Sequence, residues 1–195
     1  MTTEPGSRIA PLEAPFEPTV AEQLRSMMPP GVPPIALFRM FGRRLDMAAA
    51  MHPWGAHLLG RGLSVDLRCR EIVIDRTCAR CGCEYEWGVH VAFFAERARL
   101  SEAQVASLTH GGPGDACWDA ERDRLVIRLV DELHEGSDVG DELWAALRAT
   151  FDEDQLMELL LLCGWYHAIS FVARGARVPL EEGAPRFASL GASEG

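Results

Sequence analysis

The chain has 195 residues, of which 48% are hydrophobic and 25% are charged, and its formal net charge is −10. This composition is typical of one globular domain with a substantial core, and the negative charge argues against a nucleic-acid partner, because phosphate binding needs clustered cations. All 19 basic residues are arginine, which excludes Schiff-base lysine chemistry and the lysine of a phosphate-binding loop.

The hydrophobic residues are spread along the chain. No apolar run approaches the length expected of a membrane span, and the N-terminus has no basic-then-apolar signal pattern. We therefore expect a cytoplasmic protein with no membrane partner, whose six cysteines are reduced thiols.

The chain divides into three parts by composition. Residues 1–16 are rich in proline, glycine and glutamate and are expected to form a flexible N-terminal arm. Residues 17–180 show helical periodicity throughout and are expected to form one helical domain, and residues 181–195 form a C-terminal tail. No convincing strand pattern is found, so the prediction is an all-α fold of about eight helices.

Several helix boundaries can be predicted in chain order. A helix is expected over 19–28, and another begins after Pro33-Pro34 and is interrupted at His52-Pro53. Ser64 is the expected N-cap of a helix that runs to about residue 81, and Gly82 is expected to break the chain before a second helix over 83–98. Further helices are predicted over 102–108, 118–134, 141–150 and 152–173, the first of them after a capping box.

Reactive side chains are concentrated between residues 78 and 90. On one helix, Cys83, Glu86 and His90 lie along a single stripe, because residues three and four apart face the same side. An apolar wall around such groups shifts their pKa values, as proton-transfer sites require. If Gly82 breaks the helix, Cys83 lies at a helix N-terminus, which is expected to lower the pKa of its thiol. Glu71 can lie beside His90 only if the chain folds back near Gly82.

These residues resemble a known family. Glu71, Cys83 twelve positions later and His90 seven positions beyond it, within Arg70-Glu71-Ile72-Val73-Ile74 and the run 83–90, are similar to the core of the carboxymuconolactone decarboxylase and alkylhydroperoxidase D-like family. Residues 100–105 resemble the start of that family's next helix. The resemblance covers about 34–109 well and extends loosely to about 180. It implies a multi-helical single domain with the site on a central helix pair, assembled as a homotrimer or homohexamer.

The two branches of the family imply different chemistry. The peroxidase branch implies a relay of Glu, Cys-x-x-Cys and His, in which the cysteine nearer the histidine attacks the peroxide, but here Glu86 stands at that position. The decarboxylase branch implies acid–base chemistry on a small organic acid or lactone, with no metal and no organic cofactor. We predict the catalytic set Glu71, Cys83, Glu86 and His90. His90 is the acid or base, Glu86 its proton partner, Glu71 the group that orients the imidazole, and Cys83 a lining or redox-capable thiol.

Other interpretations stay open. A thiol-dependent alkylhydroperoxidase would use Cys83, with Cys78 or Cys81 as the resolving thiol, and a non-catalytic ligand-binding or assembly protein would keep the scaffold alone. A zinc site built on Cys78-x-x-Cys81 would need Cys83 and His90 from across the helix break, an awkward geometry, and no metal is expected. His167 is interpreted as a core or interface histidine.

Overall fold

The structure, a computed structural model, describes residues 6–190. These residues form nine α-helices and one short 3-10 helix with no strand, which confirms the all-α, single-domain prediction. The helices are α1 (Pro18–Ser26), α2 (Ala36–Phe41), α3 (Leu45–Leu59), α4 (Leu67–Arg80), α5 (Glu84–Phe94), α6 (Glu102–His110), α7 (Glu121–Gly136), α8 (Asp141–Arg148) and α9 (Glu153–Ala176), and the 3-10 helix is Phe187–Leu190.

Helix α4 lies at the centre of the fold. It packs against α5, α6, α7 and α9, and the ten consecutive residues from Cys69 to Cys78 are all buried. A helix that is buried on every side has no solvent face for its ionisable residues, so each of them must find an internal partner. The buried polar residues of α4 are therefore candidates for a functional site.

A sharp reversal joins α4 to α5. Gly82 has φ +63°, and the Cys83 amide donates to the Cys78 carbonyl at 2.7 Å while the Gly82 amide donates to Ala79 at 2.9 Å. These bonds close the end of α4 in the manner of a Schellman cap, which places glycine in the left-handed region. The predicted break at Gly82 is confirmed, and α5 folds back against α4.

Some predicted boundaries are wrong for identifiable reasons. The N-cap of α4 is Asp66, whose side chain accepts from the Cys69 amide, whereas the Ser64 hydroxyl instead donates to Glu158 at 2.5 Å. Helix α3 continues through Pro53, because the carbonyl that this proline leaves without a donor belongs to the exposed Ala49 and is open to water.

The longest helix, α9, is more apolar than the sequence analysis predicts. By length and composition alone, α9 could cross a membrane, with a mean hydropathy of 1.6 over its most apolar window, whereas no run of that length was expected. In this structure α9 packs along α4 and α5, and 44% of that window is buried inside the fold. Its apolar residues therefore serve the core on one side.

Both end segments contact the helical domain. In the predicted arm, the amides of Arg8 and Ile9 donate to the Ala176 carbonyl at 2.8 and 3.3 Å. In the predicted tail, the Glu181 carboxylate accepts from the Tyr85 hydroxyl at 2.6 Å. Residues 1–5 and 191–195, the outer parts of the arm and tail, lie outside the described residues.

Candidate active site

Glu71 and His90 meet across the α4–α5 reversal. His90 Nδ1 lies 2.8 Å from Glu71 Oε2, and both side chains are almost completely buried. A carboxylate at this nitrogen holds the Nδ1 proton and leaves the Nε2 lone pair free for the other side of the ring. The structure thus brings together the two residues whose meeting required the chain to fold back.

Arg70 supports the same carboxylate from behind. Its Nε donates to Glu71 Oε1 at 2.6 Å and its Nη1 donates to the Leu59 carbonyl at 2.7 Å. Asp75, one turn further along α4, is also buried, and burial together with the Glu71 charge raises its pKa. The Arg70 guanidinium therefore pairs with Glu71, whereas Asp75 Oδ1 is buried without a hydrogen-bond partner.

Glu86 lies on the opposite side of the imidazole. One turn before His90 on α5, its Oε2 is 3.8 Å from His90 Nε2, and its Oε1 is buried without a hydrogen-bond partner. Burial raises the pKa of Glu86, although the nearby His90 opposes this shift. A buried carboxyl group with a free oxygen is well suited to exchange a proton with a bound molecule.

Tyr166 on α9 completes the group and was missed by the sequence analysis. Its hydroxyl lies 2.8 Å from His90 Nε2, and burial holds the pKa of Tyr166 well above its usual range, so the hydroxyl keeps its proton and donates. The chain separates Tyr166 from His90 by 76 positions. The packing of α9 on α5 brings the two side chains together, and local spacing in the sequence does not predict this contact.

A cavity of about 380 Å³ opens beside these groups, within the size range of small-molecule sites. Glu86, His90 and Tyr166 contribute to its wall. The rest of the lining is mostly apolar and aromatic and comes from the end of α1, the segment between α1 and α2, and helices α2, α3, α5 and α9. It includes His52 together with Leu37, Phe38, Phe41, Met51, Val89, Phe93, Phe94, Trp165 and Ile169.

The Cys83 thiol adjoins the start of α5 near Glu86 but does not reach the cavity. It is 0% exposed and is not among the residues that line the cavity. Although Cys83 is the N-cap of α5, burial raises the pKa of its thiol to about 11. The expected lowering by the helix N-terminus is therefore wrong for this thiol, because the cost of burying a thiolate exceeds the stabilisation by the helix end.

The structure thus brings three of the four predicted residues, Glu71, Glu86 and His90, into one group, in which Glu86 and His90 line the cavity and Glu71 lies behind His90. Among the described residues, the His, Cys and carboxylate side chains that converge closely enough to hold a metal ion are a different set, Cys81, His134 and His167. Comparisons with family models, curated proteins and solved structures find no match to this chain.

Proposed function

We propose that this chain is a cofactor-independent acid–base enzyme of the carboxymuconolactone decarboxylase and alkylhydroperoxidase D-like type, acting on a small lactone or related carbonyl compound. One observation carries the proposal. His90 Nε2, the Glu86 carboxyl group and the Tyr166 hydroxyl meet at the wall of an apolar cavity, while Glu71 fixes the far nitrogen of the imidazole.

Each group has a distinct role in the proposed chemistry. His90 Nε2 takes a proton from the carbon next to the carbonyl, and the Glu71 carboxylate stabilises the imidazolium that forms. The Tyr166 hydroxyl, which points at Nε2 in the resting protein, turns its hydrogen bond to the carbonyl oxygen as negative charge develops there. Glu86 returns a proton to the product, because burial favours the protonated form of its carboxyl group. The His90 imidazolium then passes its proton to the Glu86 carboxylate, whose Oε2 lies 3.8 Å from Nε2, and this transfer restores both groups.

The cavity lining narrows the class of substrate. Among the described residues that form this wall there is no arginine, and the chain has no lysine. A carboxylate on the ligand would be buried there with no permanently cationic side chain among the described lining residues, whose only basic groups are the rings of His52 and His90, and such burial is costly. The proposed substrate is therefore a neutral lactone in preference to an organic acid.

The test follows proton abstraction directly. A five-membered lactone with its double bond between the β and γ carbons is incubated with the protein in D₂O, and loss of the hydrogens on the carbon next to the carbonyl is followed by proton NMR. The parent chain is expected to accelerate exchange, and Glu86→Gln and His90→Gln are each expected to slow it by about 10²–10⁴-fold, the usual contribution of a general acid or base. Cys117→Ser, which changes a thiol outside the cavity lining, is the matched control.

A second probe tests the preference for a neutral substrate. The same lactone carrying a carboxymethyl group is expected to exchange more slowly than the neutral one.

Equal exchange rates for the parent chain, Glu86→Gln and His90→Gln would refute the catalytic proposal and favour a ligand-binding or assembly protein.

Two observations weigh against a thiol peroxidase that uses Cys83. The thiol lies outside the cavity lining, and its raised pKa leaves it protonated near neutral pH. Turnover of a hydroperoxide with a dithiol reductant, lost in Cys83→Ser, would reverse this judgement.

We also propose that copies of the chain associate through α9, as a trimer or hexamer. The outer side of this helix exposes a stripe of large apolar side chains, Met157, Leu161, Phe171 and Val172, and Phe171 is 69% exposed. Such a stripe is unusual on an isolated chain in water. Sedimentation equilibrium should give an oligomer for the parent chain and a smaller species for Phe171→Glu, and a monomeric parent would contradict the proposal.

A further inference from the structure

Three potential metal ligands converge at one end of the bundle, away from the cavity. Cys81 caps α4, His134 lies in the last turn of α7, and His167 lies in the middle of α9. One ligand atom from each, a sulfur and two ring nitrogens, lies within 4.8 Å of the others. Three different helices thus present a thiol and two imidazoles to one point.

The hydrogen bonds of the two histidines favour a metal at that point. His167 Nδ1 donates to the Cys163 carbonyl at 2.9 Å, so His167 Nε2 carries a lone pair. His134 Nδ1 lies 3.0 Å from that Nε2, and in the absence of a metal it must supply the proton between them. A backbone carbonyl that fixes the outer nitrogen of a ring is the usual support for a metal-binding histidine.

We propose that Cys81, His134 and His167 form a binding site for a divalent ion of the zinc class. Tetrahedral zinc with one thiolate and two imidazoles separates the ligand atoms by roughly 3.3–3.6 Å, calculated from Zn–N and Zn–S lengths. The two nitrogens at 3.0 Å need to move apart by a few tenths of an ångström, and the Cys81 sulfur, which lies within 4.8 Å of them, needs to approach by up to about 1.2 Å. Both histidines are partly exposed, so water can fill the fourth position.

The charges near the site are compatible with a cation. The positive charge of Arg80, which lies one residue before Cys81, would repel a metal ion, but Arg80 pairs with Glu135 at 2.5 Å and with Asp131 at 3.4 Å. Arg174 Nη1 donates a hydrogen bond to the Cys81 carbonyl at 2.7 Å. The carboxylates of Asp131 and Glu135, one turn apart on α7, offset the charge of Arg80, although Asp131 also pairs with Arg76 at 2.8 Å. The hydrogen bond to a carbonyl leaves the charge of Arg174 in place.

Binding has a defined proton balance. The Cys81 thiol releases its proton to solvent as the thiolate–metal bond forms. The His134 proton moves from Nδ1 to Nε2 on the same neutral ring, which frees Nδ1 for the metal. One proton is released for each ion, and no oxidant or reductant takes part. The inference does not depend on the proposed enzymatic function, because none of the three ligands lines the cavity.

Cobalt(II) is the probe, because a thiolate bound to it gives an intense near-ultraviolet band. The full chain is treated with a chelator, freed of it and titrated with Co²⁺. One ion per chain with this band is expected. The band should vanish in Cys81→Ser, and His134→Gln and His167→Gln should each weaken binding by more than about tenfold. Cys117→Ser and His57→Gln, which change a thiol and an imidazole elsewhere, should bind as the parent does.

Two further measurements keep the result interpretable. Far-ultraviolet circular dichroism reports whether each variant folds, and His134→Gln, at a partly exposed position, decides the matter if Cys81→Ser does not fold. Zn²⁺ should raise the unfolding temperature of the parent chain but not of that histidine variant. No thiolate band in the parent, or an undiminished band in folded Cys81→Ser, would overturn the proposal.

Discussion

Replacing Glu71 with glutamine tests the buried support of the imidazole. Glutamine keeps the shape of the side chain, but it removes the negative charge that faces Arg70 Nε at 2.6 Å and His90 Nδ1 at 2.8 Å. Glu71 is 0% exposed, so the guanidinium would be left in the interior without a counter-ion. Removing one member of a buried ion pair costs about 3–5 kcal/mol of unfolding free energy.

The chain offers a matched control with the same distance and a different environment. Arg39 and Glu13 also approach to 2.6 Å, but the Glu13 side chain is 77% exposed. Glu13→Gln should therefore cost no more than about 1 kcal/mol. Urea unfolding followed by circular dichroism at fixed protein concentration measures both variants. Equal losses in the two variants would show that the ion pair itself, and not its burial, sets the size of the loss.

Three further predictions concern single side chains. Because burial raises the pKa of Glu86, the folded state holds this proton more tightly than the unfolded state, and the stability of the parent chain falls as pH rises from about 4.5 to the raised pKa. In urea titrations, the stability of Glu86→Gln relative to the parent should therefore rise over that pH window, and a fall would contradict the raised pKa. Iodoacetamide at neutral pH should label the partly exposed Cys117 well before the buried Cys83, as peptide mass spectrometry would show, and rapid labelling of Cys83 would contradict its raised pKa. Gly82→Ala should cost about 1–2 kcal/mol because alanine is strained at φ +63°, whereas Gly112→Ala, with open space around it, should cost nothing in the same unfolding assay.

The features that the sequence predicts well are local. Gly82 carries its own signal, because a glycine between two periodic segments favours a left-handed cap, and the meeting of Glu71 and His90 follows from that turn. The stripe of Glu86 and His90 follows from helical spacing alone.

The features that the sequence does not predict depend on helix packing. Tyr166 reaches His90 only because α9 lies against α5, and a tyrosine in an apolar run is indistinguishable from a core residue. Pro53 continues a helix because the carbonyl it leaves free faces solvent, which depends on the position of α3 at the surface. The pKa of Cys83 is set by burial from several elements, whereas the sequence shows only its place at a helix start.

In this site Glu71 holds the proton of His90 on Nδ1, so that Nε2 presents its lone pair toward Tyr166 and the cavity. ¹⁵N NMR of the ring nitrogens of uniformly labelled protein tests this directly, with His90→Gln used to assign the signals. We expect a protonated Nδ1 and an unprotonated Nε2 for the neutral His90 ring. A His90 ring that carries its proton on Nε2 would contradict it.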